Sequence, residues 1–438
     1  MPLASCLLFP SFFVLFRPIF AILNGSKVQY QALDDAIRTA QFIRNKAVRL
    51  WRDEPNVNKA RLSRLCKELA REFPFAKKLN SMARQASSER AWTSISNFYR
   101  RCHEGAKKKG YPQFKKHSRS VEYKTTGWKL SEDGLGIHFT DGFQAGRFSL
   151  FCNHETREDL FRLKINRVRV VRRADGYYAQ FCFDSVRSEP GNYTGEVIGL
   201  DLGLKYFYKD QNDNAATYPQ YLRRAEARIK KLQRRLSRKF VRGAKPQSNN
   251  YHKARIRLAK AHLKVQRQRK DWAIQLARCV VTSNDVVVYE DLKIQNMVKN
   301  HHLAKSISDA AWSQFTQWLD YFGKIWDKTV IAVAPNYTSQ DCSNCGHRVK
   351  KTLSTRTHQC PQCQLEICRD TNAALNSLKR GMTLLGVEWN NNSTLGHKET
   401  AGKPGTLEES PTSVDDEKSD SIRCLAESRI TICENPAL

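Results

Sequence analysis

Acidic residues are what this chain is short of. It sets only 43 Asp and Glu against 74 Lys and Arg, a formal net charge of +31 with a pI near 9.8. The deficit is steeper than the total shows, because residues 386–438 hold ten acidic and five basic side chains and leave +36 on the first 385. Such an excess excludes a cationic partner and points to a polyanion, nucleic acid ahead of an acidic protein. Long apolar runs are scarce too. The longest, from Leu7 to Leu23, is interrupted by Pro10, Arg17 and Pro18; a spanning helix needs about 20 apolar residues, and a central Arg costs about 2.5–3.5 kcal/mol. No basic residues precede it and no small-residue cleavage site follows it, so it does not read as a signal peptide. No membrane partner is expected. A secretory disulfide framework is also missing: of thirteen cysteines, four stand in two close pairs and the others are scattered singly, a usage that suits a reducing cytoplasm.

What is present begins with those two pairs. Cys342 and Cys345, then Cys360 and Cys363, form two CxxC knuckles fourteen residues apart. Each knuckle turns two thiolates to one side of a tight loop, so the pair can close a tetrahedron of sulfur around one Zn²⁺. Four sulfurs leave no position open for water, which makes the site structural and not hydrolytic. His347 and His358 lie nearby as alternative ligands and read as solvated loop residues.

Three carboxylates form a second group. EVIGLDLGLKYFY (196–208) reads as a buried strand carrying Asp201, and NDVVVYEDLKIQNM (284–297) as another that ends in Glu290 and Asp291. RDTNAALNSLKR (369–380) reads as a helix start, with Asp370 or Thr371 as cap, Ala374 and Leu378 on one face and Gly381 as stop. An acid on a buried strand costs several kcal/mol unless a cation or hydrogen bonds compensate it. Together these acids can supply oxygen ligands to Mg²⁺.

The order GLDLGLK, VYEDLK, Cys₄ ribbon and RDTNAALN resembles the TnpB (OrfB-type) proteins of bacterial insertion sequences, relatives of the type V CRISPR nucleases. The resemblance covers roughly residues 30–380. It implies a multidomain chain: an α/β RNase H-like (RuvC-like) nuclease core with an inserted zinc ribbon, preceded by a helical lobe and a small β-barrel wedge domain. It also implies an RNA-guided, transposon-encoded DNA endonuclease whose catalytic carboxylates are Asp201, Glu290 and Asp370. Two Mg²⁺ ions about 3.5–4 Å apart serve such chemistry, with Asp201 between them. The implied partners are DNA, a guide RNA from the mobile element and a separate transposase of the same element, in a prokaryotic cytoplasm at the nucleoid. Cys368 departs from the pattern, since relatives commonly carry an Asp there. A binding-only remnant that no longer cuts is the competing reading.

On this frame, residues 1–29 form an atypical apolar segment in which no wedge strand is recognised. A helical recognition lobe (30–118) follows, whose first helix has Leu33, Ile37, Ala40, Ala47 and Leu50 on one stripe. A β-rich wedge domain (119–190) comes after a basic loop that holds Tyr111 and Phe114; Tyr111 is open to either base stacking or packing, whereas Phe181 and Phe183 read as core. The nuclease core spans 195–337, the ribbon 338–366, the last core helix 367–385 and an acidic low-complexity tail 386–438. Inside the core, residues 223–270 contain nineteen Lys or Arg and a single acid, Glu226. Their apolar residues recur at helical spacing on two arms, which predicts a hairpin with basic flanks. Lys230, Lys231, Arg234, Arg235, Arg238, Arg257, Lys264 and Arg267 are its candidate phosphate contacts. Residues 301–328 read as one helix with Trp312, Phe315, Leu319 and Phe322 on its core face.

Overall fold

The computed structural model describes residues 14–16, 19–186, 192–244, 246–352 and 354–387. The chain divides into two compact units, Met1–Arg187 and Ser188–Leu438.

The first unit inserts its helices in the chain between strands of one sheet. Strands β1 (Val14–Phe16) and β2 (Ile19–Asn24) lead into helices α1 (Lys27–Asp53), α2 (Lys59–Glu72), α3 (Pro74–Lys78) and α4 (Ser81–His103). The chain returns as β3 (Ser120–Tyr123), β4 (Trp128–Leu130), β5 (Gly136–Phe139), β6 (Gly146–Phe151), α5 (His154–Arg162), β7 (Ile165–Arg172) and β8 (Tyr177–Val186). These strands make one antiparallel sheet in the order β3-β7-β8-β2-β6-β5-β4, with β1 on β8. The apolar run at the N-terminus therefore has a place: β2 pairs with both β6 and β8. The sequence missed it because a β-strand buried at Ala21 and Leu23 needs only a short apolar segment, and two prolines hid its edge.

Residues 30–118 and 119–190, separable by pattern, share one hydrophobic core here, from Leu33, Ile43 and Leu62 to Val121, Phe148 and Phe181. Ser26 caps α1 through a reciprocal box with Gln29, whose side chain also donates to the Ala145 and Arg147 carbonyls and so ties the helix start to β6. Tyr30 then stacks on Tyr177 at 4.8 Å. The basic loop 105–118 is strapped along α1: Arg44, Asn45, Gln41 and Arg52 donate to the carbonyls of Gln113, Lys115, Lys116 and Pro112. Tyr111 packs 5.2 Å from Trp51 while remaining 48% exposed.

The second unit is built on a five-stranded sheet in the order β11-β10-β9-β12-β13. Its strands are β9 (Val197–Leu202), β10 (Tyr208–Asp210), β11 (Ala215–Ala216), β12 (Val286–Glu290) and β13 (Thr329–Val333). Helices α6 (Tyr221–Ser237) and α7 (Asn249–Ser283) form the long hairpin, followed around β12 by α8 (Ile294–Met297), α9 (Ala304–Ala310) and α10 (Trp312–Trp326). The single helix expected over 301–328 is broken at Ala311, a left-handed residue with φ 58°. The break lets Asp309 turn back to accept from the N–H groups of Leu222 and Arg223, a remote cap for α6, whose own N-cap Gln220 provides none. The ribbon strands β14 (Thr357–Gln359) and β15 (Glu366–Cys368) pair with each other, and helix α11 (Arg369–Leu384) follows at once.

The strand period of two sorts this sheet's faces. Ile198, Leu200, Leu202, Val287 and Tyr289 pack with Leu276, Phe315 and Leu319 of α7 and α10. Val197, Val286 and Val288 point the other way, onto Leu378 and Met382 of α11. Two glycines allow that helix to lie directly on the strands. A Cβ on Gly199 would sit 2.5 Å from the Ala374 carbonyl oxygen, and one on Gly381 would sit 2.4 Å from Val288 Cγ2. Gly381 is accordingly a contact residue within α11 and not its stop, and the cap is Cys368, with Asp370 and Thr371 in the first turn.

Candidate active site and metal centre

The same alternation puts two carboxylates on the α11 face. Asp201 follows Val197 and Gly199 at even spacing, and Glu290 follows Val286 and Val288. The parallel register, with Val288 opposite Gly199 and Tyr289 opposite Leu200, brings Asp201 and Glu290 to the same level of neighbouring strands. Asp370 enters from the first turn of α11. The three acids are thus within mutual electrostatic reach. Burial, and then the charges of Glu290 and Asp370, hold the Asp201 carboxyl well above the usual carboxylate range. Burial also pushes Glu290 up, against hydrogen bonds from Thr338 and Ser377 and the positive charge of Arg380. Asp291 separates itself from this group: half-exposed, it pairs with Lys293.

Asp201 has no hydrogen bond or ion pair among the described residues to offset its burial. Asp370 accepts from Arg369 Nε and Nη2 at 3.0 and 2.9 Å. Desolvated, like-charged oxygen donors of this kind fit a divalent cation, and the Arg369 guanidinium supplies the nearest positive charge in the protein itself. Among the described residues the one group of three or more His, Cys, Asp or Glu gathered closely enough to hold a metal ion is the four cysteines, whose sulfurs lie within 4.8 Å of one another; the three carboxylates form no such group.

Several residues that the sequence did not single out shape the site. Lys209 stands directly opposite Asp201 in the β9–β10 register; its ammonium lies 2.6 Å from Asp213, which in turn accepts from Thr371 of α11. Ser377 donates to Glu290 Oε1 at 3.3 Å. Asn372 and Asn376, buried on the same helix, each donate to the carbonyls of Thr338 and Asp341, and Asn372 accepts from the Ser343 N–H. They bind the first knuckle to the helix that carries Asp370. Asn is a poor helix former, and three polar residues on the apolar side of RDTNAALNS were the available signal.

In the ribbon, both knuckles have one geometry. Gly346 and Gln364, each left-handed, follow the second cysteine, and the N–H groups of Cys342 and Cys360 bond the carbonyls of His347 and Leu365. Cys342 and Cys363 sulfurs lie 3.5 Å apart, as do those of Cys345 and Cys360. With Zn–S near 2.3 Å, a tetrahedron has edges of about 3.8 Å, so this cluster could bind one zinc ion. The Leu365 N–H and neighbouring thiols lower the Cys363 pKa to about 6, which prepares one thiolate. His347 is exposed, as expected of a loop residue. His358 corrects the expectation: it is fully buried, its Nδ1 beside Lys351 Nζ, because β14 turns that position inward.

All eight basic candidates on the hairpin are exposed. Lys230, Arg234 and Arg238, at helical i, i+4, i+8 spacing, line an open cleft of about 460 Å³ with Gln233 and Ser237. Lys230 is also held 2.7 Å from Glu226, which pairs with Lys305 as well; both contacts lower the Glu226 pKa to about 2.

Residues 180–301 match the family described as probable transposase, OrfB of IS605, and residues 312–377 the Cas12f1-like TNB domain. The chain is similar to the TnpB, OrfB-type proteins. It is 28% identical over 316 residues to a putative RNA-guided DNA endonuclease of Streptomyces pristinaespiralis, covering 71% of this chain and 74% of that one. To the putative RNA-guided DNA endonuclease InsQ of Escherichia coli K12 it is 25% identical over 362 residues, 78% and 82% of the two chains. Its fold is similar to the mini-RNA-guided endonuclease CRISPR-Cas_phi3, with TM-score 0.53 at 8% identity over 84% of this chain and 92% of that one. CasPhi-2 (Cas12j) bound to crRNA gives TM-score 0.51 at 9% identity over 85% and 98%. Among the described residues no helix is long and apolar enough to cross a membrane.

Proposed function

We propose that this chain is an RNA-guided, Mg²⁺-dependent DNA endonuclease encoded by a transposable element, with an RNase H-like (RuvC-like) core in residues 195–337 and α11, and with one structural zinc ion on Cys342, Cys345, Cys360 and Cys363. The observation that carries it is the convergence of Asp201, Glu290 and Asp370, from two adjacent strands and one helix start, close enough for their charges to raise the Asp201 pKa. The names of its relatives support the substrate and guide.

Asp201, Glu290 and Asp370 would hold the divalent cations, which when bound would supply an activated water and neutralise the oxygen that leaves the phosphodiester. The protein's own residues do the arranging. Ser377 and Thr338 orient Glu290; Lys209, Asp213 and Thr371 tie the β10 turn to the first turn of α11 and so fix Asp370 against Asp201. Arg369 pairs with Asp370 and also donates to the Thr355 carbonyl, so it holds that carboxylate in place. The hairpin and the basic loop 105–118 hold the polyanion.

Asp201→Asn, Glu290→Gln and Asp370→Asn should each reduce guided cleavage at least ~10³-fold, since the cations need all three ligands, while affinity for RNA and target DNA stays within about twofold because it comes from many Lys and Arg contacts. Asp291→Asn should cut normally. Unmutated protein that binds guide and target in Mg²⁺ yet never cleaves would establish the binding-only remnant instead.

A further inference from the structure

The turn that joins α6 to α7 exposes two neighbouring apolar side chains, Phe240 at 55% and Val241 at 59%. Single exposed apolar residues are ordinary on a surface, but this pair stands on a turn that is clamped from within. The Gln247 amide brackets Val241: it accepts from the Val241 N–H at 3.1 Å and donates to the carbonyls of Val241 and Ala244 at 2.7 and 2.8 Å. The N–H groups of Lys239 and Phe240 continue the last turn of α6 onto the carbonyls of Leu236 and Ser237, and Gly243, with φ 83°, turns the chain back. Ser248 then caps α7 by accepting from the Tyr251 N–H, and the Tyr251 ring lies 6.0 Å from that of Phe240. One ring neighbour leaves more than half of Phe240 in solvent.

Every charge around the pair is positive. Arg238, Lys239 and Arg242 flank it and Lys253 follows on α7, all exposed, and no acid occurs in the chain between Glu226 and Asp271. A membrane would meet the tip alone, whereas a run of phosphates matches cations spread along both arms of the hairpin. The apolar surface that such a polyanion offers is its bases, and a duplex hides their faces except where pairing ends. Forcing a side chain into an intact base step costs a few kcal/mol of lost stacking; the last pair before two strands separate presents one face without that cost. We propose that Phe240 and Val241 form a wedge that stacks on the last base pair where a nucleic-acid duplex opens into single strands, with Arg238, Lys239 and Arg242 on the adjoining phosphates. The assignment rests on the nucleic-acid-binding part of the function proposed above.

The test uses the full-length, zinc-loaded protein and a forked DNA duplex, a paired stem with two unpaired arms, that carries 2-aminopurine either at the last pair or in mid-stem. Binding should change the fluorescence of the junction probe and leave the mid-stem probe as it was. Phe240→Ala should weaken fork binding at least ~5-fold, the low end for loss of one stacked base, and abolish the junction signal, while Phe240→Trp should retain both. The slope of log affinity against log salt should be the same in all three proteins, since no phosphate contact is removed. Affinity and signal unmoved by Phe240→Ala overturn the wedge and leave general nucleic-acid binding in place. Equal signals from the two probe positions overturn the junction in favour of insertion into intact duplex. Self-association of the protein, or its binding to vesicles of phosphatidylserine and phosphatidylcholine, that Phe240→Ala removes overturns the assignment in favour of a second copy or a membrane. Failure to bind the fork at all overturns both readings.

Discussion

Glu122 illustrates how one buried charge is made tolerable. It lies on β3 at 4% exposure, with Arg169 Nη2 at 2.6 Å and Arg167 Nη1 at 3.0 Å across the β3–β7 pair. Burial works to raise its pKa, but the contacts to Arg169 and Arg167 outweigh it and bring the net value below the ordinary 4.5. A carboxylate lowered on folding adds stability that is complete above its unfolded pKa and is lost as pH falls through the folded one. Glu122→Gln should therefore destabilise the first unit by about 2 kcal/mol at neutral pH, a figure held down by the partial exposure of both arginines. Urea denaturation should show that difference shrinking as pH falls below the ordinary 4.5 and through the lowered folded value, where the wild-type acid becomes neutral as well. A gap independent of pH would show that the residue acts through shape and not charge. Asp201 obeys the opposite logic: it has no such partners among the described residues, and burial holds its carboxyl well above the usual range, as the proposed cation site requires.

At the scale of elements, the α6–α7 hairpin and α11 divide the work. The hairpin is a basic surface whose apolar residues, Ile229, Ala254 and Val265, are buried while its cations stay in solvent. Lys230 is tied to Glu226, so the proposed phosphate contacts are tested at the others. Replacing Lys231, Arg234, Arg235, Arg238, Arg257 and Lys264 by Gln keeps helix propensity. It should flatten the slope of log affinity against log salt by about 0.9 per lost contact on duplex DNA and about 0.7 on single strands. Binding isotherms over a salt series read this directly, and an unaltered slope would place the hairpin away from the polyanion. Helix α11, by contrast, buries nine of its sixteen residues. Through Gly199 and Gly381 it lies on two strands, through Asn372 and Asn376 it grips the first knuckle, and its first turn presents Asp370.

For the whole molecule, each unit has hydrophobic cores drawn from its own residues, 21–183 in one and 197–382 in the other. A zinc ion on the four cysteines would bind folded ribbon only, so its binding energy would be folding energy for the second unit. Metal analysis should give one zinc per chain, and calorimetry should resolve two unfolding transitions. Chelation, or Cys360→Ser, should lower the transition of the second unit by roughly 6–12 °C for each ~3 kcal/mol removed in a unit of this size, and leave that of the first unit unmoved. A chelator that shifts neither transition, or a protein without zinc, would contradict the ribbon assignment.

The sequence by itself determined the groups whose chemistry is local. Two CxxC turns define a metal site without reference to the rest of the fold, nineteen cations in one stretch define a basic surface, and alternation along VIGLDL and VVVYE sets which side of each strand an acid occupies. What it could not supply was register and approach. Glu290 and Asp291 are adjacent in sequence, and only the pairing of β12 with β9 and the docking of α11 turned the first toward Asp201 and left the second in solvent. The place of Ile19–Asn24 between β6 and β8, the break at Ala311 and the partners of Lys209, Asp213 and Thr371 were equally out of reach. Each depends on contacts between residues far apart in the chain, and short-range pattern carries no information about which distant backbone a strand edge, a helix start or a buried polar side chain will meet.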